Sequence, residues 1–306
     1  MDARQLRAHL RPPYVKRLRM LWVRAMRELA APWAERVHAR RNLRSKSPVT
    51  GDAPVIVSMT TYGARLETAY YALESIGRGK IRPYRLVLWI QDREEFEQRP
   101  ASIRRLESRG LEVRLTRKLR SHTKYFPALA DAQQQGVPLV TVDDDVLYPR
   151  FWLRGLLAAA EESPRTVVCY LSHRVSFDER QHLSAYASWT KNWSASPSPR
   201  VFSVGVSGAL YPLEAVDALM CAGEGFLERA PLADDVWLNS VVTSVGIPTR
   251  QVSDIPSHFA EIRNVPPGLA RLNVDGGEND RQIKASYGDN SLDFMLNSEP
   301  TAGGTS

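Results

Sequence analysis

Three consecutive aspartates, Asp143, Asp144 and Asp145, close an apolar run that reads Pro138-Leu139-Val140-Thr141-Val142. Adjacent carboxylates repel one another, and at the lip of a buried strand water screens that repulsion poorly. The arrangement calls for a positive partner. A hard divalent cation carrying a phosphate fits, because Mg2+ is commonly held by one or two carboxylates together with substrate phosphates. An acidic turn after a strand is the plainer alternative, since Asp is a common turn residue. A second acidic pair, Asp234-Asp235, opens an apolar helical run that extends to Val245. Carboxylates are favoured beside the N–H groups of a helix N-terminus, so simple capping is an alternative there too.

The elements that must position these groups alternate along the chain. Strand patterns fall at 55–59, 85–90, 112–115, 139–142 and 166–171. Helical patterns fall between them at 66–76, 100–108, 124–135 and 150–162. This β-α alternation predicts an α/β fold with an open, mostly parallel sheet flanked by helices. Ligands in such sheets bind beyond the carboxyl ends of the strands. Thr60, Thr61 and Tyr62 follow the first strand, Asp92 the second and the aspartate triplet the fourth, so all fall on that edge. After residue 172 the rhythm breaks into an irregular stretch. Short strands at 202–204 and 209–211 and helices at 213–221 and 234–245 follow.

With 306 residues, 43% hydrophobic and 25% charged, the chain reads as a globular protein with room for a large core. No apolar run approaches the ~18 residues of a membrane-spanning helix. No secretory signal is recognisable, which predicts a cytoplasmic protein. Cys169 and Cys221 are read as buried free thiols. The net charge of +7 is uneven: residues 1–48 carry 13 Lys and Arg against three acids, leaving the remainder slightly acidic. In this arm Leu6, Leu10, Tyr14, Leu18, Trp22, Met26, Leu29, Trp33 and Val37 recur at steps of three and four. They predict an amphipathic helix from about Tyr14 to Leu29, with Pro12-Pro13 interrupting it and Pro32 starting another. A basic amphipathic helix with Trp suggests an anionic membrane surface, and so a peripheral position at its cytosolic face. Packing of the same stripe on the body is the alternative, and nothing in the body suggests a nucleic-acid reader. Domain bounds follow: an arm at 1–48, the α/β domain at 49–275, and a partly disordered tail at 276–306.

Five segments, in this order, resemble the GT-A glycosyltransferases, in particular a family-2-like bacterial branch. They are Val57-Ser58-Met59-Thr60-Thr61-Tyr62, Leu119-Arg120-Ser121 to Lys124, Thr141 to Pro149, Gly205 to Pro212, and Ala233-Asp234-Asp235-Val236-Trp237-Leu238. The resemblance covers residues 55 to about 250. It implies a nucleotide-diphosphate sugar donor, a glycan or lipid-linked acceptor, and Mn2+ or Mg2+. It implies that Asp145 ligates the metal, with Asp143 beside it and near the nucleotide. Asp144, the inner position, is placed with the nucleotide-sugar-binding residues, and a solvated carboxylate is the alternative for it. It further implies an inverting reaction, which needs a base for the acceptor hydroxyl. Asp235 matches the family's Glu-Asp aspartate, and Asp234 stands where Glu is frequent, so either could serve. Gly205 and Gly208 fall where the family contacts acceptor and donor sugar. His258 falls where some members complete the metal shell. Lys124, Arg120 and Arg65 could balance the diphosphate, or could be surface cations. Asp92 could accept a hydrogen bond from the nucleobase. Trp189, in the irregular segment, is the aromatic expected to contact the acceptor, whereas Trp152 and Trp237 read as core. Two rival readings remain: a phosphohydrolase of the haloacid dehalogenase type, and a non-catalytic nucleotide-sugar-binding protein.

Overall fold

The computed structural model describes residues 13–266 and 277–297. Leu6, Leu10, Pro12 and the disorder expected for 298–306 lie outside the described residues. Ten strands are present: β1 (Ala53–Thr61), β2 (Pro83–Ile90), β3 (Leu111–Leu115), β4 (Leu139–Val142), β5 (Val167–Cys169), β6 (Ser172–Arg174), β7 (Thr190–Lys191), β8 (Val201–Ser203), β9 (Ala209–Tyr211) and β10 (Thr249–Gln251). The main helices are α1 (Pro13–Arg44), α2 (Ala69–Gly77), α3 (Ala101–Glu107), α4 (Leu129–Gln135), α5 (Trp152–Glu162), α6 (Leu213–Ala222), α7 (Asp234–Ser244), α8 (Glu278–Ser286) and α9 (Asp289–Asn297).

Seven strands form one sheet in the order β10-β5-β9-β4-β1-β2-β3, and β7-β6-β8 form a small second sheet. Within the large sheet β1, β2, β3 and β4 are parallel, as are β5 and β10, while β9 runs antiparallel between β4 and β5. The fold is therefore α/β with a mostly parallel sheet. Alternation along the strands builds a core on each face. Val57, Met59, Leu86 and Leu88 point to one side, and Ile56, Val87 and Trp89 to the other. Helices α2, α3 and α5 cover the first face; α4, α6 and α7 cover the second.

Two features of register position the site. Ile56 pairs with Leu139 and Met59 with Val142, an offset of 83 residues that carries Thr61 level with Asp144. Thr141 pairs with Ala209, so the antiparallel β9 brings the loop before it, Gly205 to Gly208, to the carboxyl end of β4. A parallel strand there would have sent that loop to the opposite edge.

The arm differs from expectation. Helix α1 is continuous, with Pro32 inside it and Pro13 at its first position. An internal proline costs ~3 kcal/mol, and contacts on both sides of it offset that cost. Ala31 is buried. Glu35 pairs with Arg263 (2.9 Å), Arg41 with Glu74 (3.1 Å), and Asn42 donates to Glu74 (3.2 Å). Glu74 is fully buried and also holds Arg109 at 2.5 Å. The apolar stripe does not make this contact. Leu18, Trp22, Met26, Leu29 and Trp33 are 47–75% exposed, on the face of α1 turned away from the body. The segment joining α1 to β1 is packed too: Val49 is buried and its N–H donates to Arg109 O. Helices α8 and α9 pack within the same core as α7. Cys169 is buried, but Cys221 is exposed, contrary to its sequence reading.

Candidate active site

The strand ends gather five carboxylates and two cations. Arg65 lies in a 3-10 turn directly after β1 and is 6% exposed. Its guanidinium grips Asp144 and also donates to Asp145 Oδ2 at 2.7 Å and to Pro266 O at 2.8 Å. Burial opposes its charge, but Asp144 and Asp145 outweigh that, and its pKa is raised. Thr61 is fully buried and its hydroxyl donates to Asp144 Oδ2 at 2.6 Å, as the strand register dictates. Asp144 is thus not a solvated carboxylate. It is 5% exposed and holds the turn after β1 against the turn after β4. Thr61 and Arg65 serve that contact and are not free to meet a nucleotide.

Lys124 makes the second link. It ends another 3-10 turn and reaches Asp143 Oδ1 at 2.8 Å and Asp234 Oδ2 at 3.0 Å. Burial disfavours its charge, yet Asp143, Asp234 and Asp235 raise its pKa well above normal. Neither aspartate of α7 caps its own helix through its side chain. Asp234 turns to Lys124, and Asp235 Oδ1 accepts from Gly205 N–H at 3.1 Å. Burial and then the charge of Asp234 raise the Asp235 pKa to about 7. Burial, Asp143 and Asp144 raise that of Asp145 to about 6, against the pull of Arg65.

The two glycines of the β8–β9 loop divide. A Cβ on Gly205 would lie 2.7 Å from Asp235 Oδ1 and 3.7 Å from Lys124 Nζ, so the absent side chain makes room for Asp235 and its neighbour. Gly208 has φ +91° and presses on the Trp152 indole, where a Cβ would come within 2.8 Å. It serves core packing and faces no ligand space. Trp189 is likewise in the core, 6% exposed beside Phe202, with its N–H donating to Ser184 O. It is not positioned as an acceptor contact.

A cleft of about 370 Å3 opens at the same edge of the sheet, between the ends of β1 and β2. Thr60, Tyr62, Asp92, Lys118 and Arg120 line it, and its volume suits a nucleoside. The Tyr62 ring is 41% exposed. Asp92 Oδ1 caps the short helix Arg93–Glu97, and Oδ2 stays 3.9 Å from Lys118 Nζ. Gln91, Glu95, Lys118 and Ser121 also line the cleft, and no role was read for them individually. Their signal was positional: each follows β2 or β3 on the ligand edge. His122 was also missed. Buried between Ala230 O (2.7 Å) and Tyr125 OH (3.0 Å), it fixes the turn that carries Lys124. Burial lowers its pKa to about 4, which keeps it neutral.

The donor set admits a divalent cation only sparsely. Asp143 Oδ2 and Asp145 Oδ1 have no protein hydrogen bond among the described residues, while their partner oxygens are taken by Lys124 and Arg65. Two protein oxygens completed by phosphates and water suit Mg2+-type binding. No three His, Cys, Asp or Glu side chains among the described residues are grouped to hold a metal. His258 lines a cavity beneath α1, with Nε2 3.5 Å from Glu261, and Asp143 is near enough to act on its charge.

No family model matches the chain, and no curated protein matches it. Among solved structures, it is similar to GalNAc-T7 with UDP, GalNAc and Mn2+, at 13% identity and a TM-score of 0.44 over 72% of this chain and 45% of that one. It is similar to the mannosyltransferase PcManGT from Pyrobaculum calidifontis in complex with GDP-Man and Mn2+, at 17% identity and a TM-score of 0.44 over 78% of this chain and 66% of that one. The chain spans less than two thirds of the length of either.

Proposed function

We propose that this chain is a metal-dependent glycosyltransferase of the GT-A type. It moves a sugar from a nucleotide-diphosphate sugar to a hydroxyl of a glycan or lipid-linked acceptor, with inversion. The observation that carries the reading is a juxtaposition. A nucleoside-sized cleft opens at the same strand ends as two carboxylate oxygens that lack a protein hydrogen bond among the described residues, and Lys124 ties Asp143 to Asp234, the neighbour of the half-buried Asp235 whose pKa is raised to about 7. The five motif segments support the narrower family-2-like placement.

Tyr62, Thr60 and Asp92 receive the nucleoside, with the exposed Tyr62 ring stacking on the base. Asp143 and Asp145 would hold Mn2+ or Mg2+ through their free carboxylate oxygens, and the ion would supply positive charge for a leaving diphosphate. Asp235 takes the proton of the acceptor hydroxyl as its oxygen attacks the anomeric carbon. The bond from that carbon to the diphosphate oxygen breaks, and the nucleoside diphosphate leaves with its electrons. A base with pKa near the working pH is the efficient choice. Lys124 keeps Asp234 paired, so that Asp235 is the member left for the proton. Asp144, Thr61 and Arg65 hold the triplet in place.

The exposed stripe of α1 supports peripheral attachment to an anionic membrane at its cytosolic face. Among the described residues no helix is long and apolar enough to cross a membrane. A panel of nucleotide sugars with Mn2+ tests the reaction. Metal-dependent release of a nucleoside diphosphate is the expected result. Hydrolysis of simple phosphate esters without nucleotide release would favour the phosphohydrolase. Nucleotide binding without turnover, even with acceptor extracts, would favour a binding protein.

A further inference from the structure

A cavity of about 310 Å3 lies between α1 and the body, beside the loop that ends in His258. Arg19, Arg24 and Arg27 of α1 line it with Lys191 of β7, and among the described residues no carboxylate does. Among the described residues none of these four cations is ion-paired. Arg27 is spent on His258 O (3.2 Å) and on the face of Phe259, and Lys191 finds only the Met20 sulfur at 3.9 Å. His258 Nδ1 is buried in the wall without a partner. The nearby acids are engaged elsewhere: Asp254 with Lys16, Glu261 with His258 Nε2. Arg19, Arg24 and Lys191 are exposed and so remain solvated, but with no acid paired to them their donors are available to an anion in the void. Multiple donors and the void's size suit a phosphate group.

The position selects the source of that phosphate. The cavity adjoins the inner face of α1, and the exposed stripe Leu18, Trp22, Met26, Leu29 and Trp33 occupies the outer face. An interfacial helix sinks its apolar face ~5–10 Å into the headgroup boundary, and a helix is ~10 Å across. The cavity then sits at headgroup depth. We propose that the cavity between α1 and the body binds the phosphate group of an anionic membrane lipid. This rests on the membrane reading of α1 for the source of the phosphate, and on the cavity alone for its chemistry.

The full chain is tested for sedimentation with phosphatidylcholine vesicles, with and without phosphatidylglycerol, and by calorimetry with inorganic pyrophosphate. The double variant Arg24→Gln/Lys191→Gln is compared with Arg36→Gln/Arg40→Gln, which removes the same charge from exposed positions outside the cavity. All four residues are exposed, so both variants should keep their thermal transitions. We expect the cavity variant to lose about tenfold more affinity for phosphatidylglycerol vesicles than the control, since charge-assisted hydrogen bonds to phosphate exceed diffuse attraction. Equal losses in the two variants overturn the proposal. Pyrophosphate binding that the cavity variant abolishes, with vesicle binding intact, also overturns it by assigning the site to a soluble anion. No vesicle binding by the unaltered chain sinks both the proposal and the membrane reading. Nucleotide-sugar turnover is measured without vesicles, so glycosyl transfer stands or falls separately.

Discussion

The carboxyl edge of the sheet and the cavity under α1 are electrostatic opposites. At the sheet edge Asp143, Asp144, Asp145, Asp234 and Asp235 share Arg65 and Lys124. Beneath α1, Arg19, Arg24, Arg27 and Lys191 share no acid. In the first region the chain supplies most of its own counter-charge, and what remains is directed: two free oxygens and two carboxylates, Asp145 and Asp235, with raised pKa values. In the second, water solvates three of the four cations, and their donors stay open to an outside anion. A self-neutralised cluster can be rigid before its ligand arrives, which preorganises chemistry. An uncompensated cluster gains most of its order on binding.

The comparison breaks most sharply at Asp235. Asp235→Asn keeps the acceptor for Gly205 N–H but not the base, and transfer should fall by about 10^2–10^4 while donor binding holds. Steady-state rates and donor titration check this; an active variant would move the base elsewhere. Asp144→Ala comes next. It strips the buried Arg65 of its main partner and should cost ~3–5 kcal/mol of stability. Denaturant unfolding reads that loss, and an unchanged midpoint would return Asp144 to the role of a spare carboxylate. The loop glycines separate the same two effects. Gly208→Ala should lose ~1–3 kcal/mol against Trp152, whereas Gly205→Ala should displace Asp235 and lower the rate more than the stability.

The pH dependence follows from Asp235. Its folded pKa of about 7 exceeds the ordinary value of 3.8, so between them the folded state holds more protons than the unfolded. Its contribution to stability therefore falls as pH rises from about 4 to about 7. Asp235→Asn should gain on the unaltered chain over that window and hold a constant difference above it, by unfolding at several pH values. The rate should climb with pH and level off above about 7. The smallest folding effect belongs to the stripe: Trp22→Ser/Leu29→Ser should change stability by under ~0.5 kcal/mol yet abolish vesicle partition. That variant is a cleaner test than removing the arm, because Ala31, Glu35 and Asn42 tie α1 into the body.

What was legible in the sequence followed from periodicity. The first four strands of the sheet, their helices and the ligand edge come from apolar runs long enough to carry a pattern. The antiparallel β9 could be seen as a short strand, but its three residues gave no sign of where it inserts. Placement came from pairing with β4 and β5, and with it the delivery of Gly205 to Asp235. Asp144 was misread for a related reason: its partner Arg65 is 79 residues away, and only register and the turn after β1 bring them together. Trp189 looked available because its segment is irregular, yet irregular backbone can still bury its side chains. Pro32 looked like a boundary because local propensity cannot count the contacts that carry a helix through it.

Pro32 also leaves a mark on α1. Lacking an N–H, it leaves the Glu28 carbonyl without its intrahelical donor, and the helix becomes two cooperative segments joined at a weak point. Beyond Pro32 the segment is bolted by Glu35, Arg41 and Asn42; before it, Lys16 meets Asp254 at 3.4 Å and Arg27 meets one carbonyl. Amide hydrogens of residues 14–31 should therefore exchange with deuterium well ahead of those of 33–44. The loosely held segment is the one that roofs the cationic cavity, so the route into that cavity is the opening of half a helix.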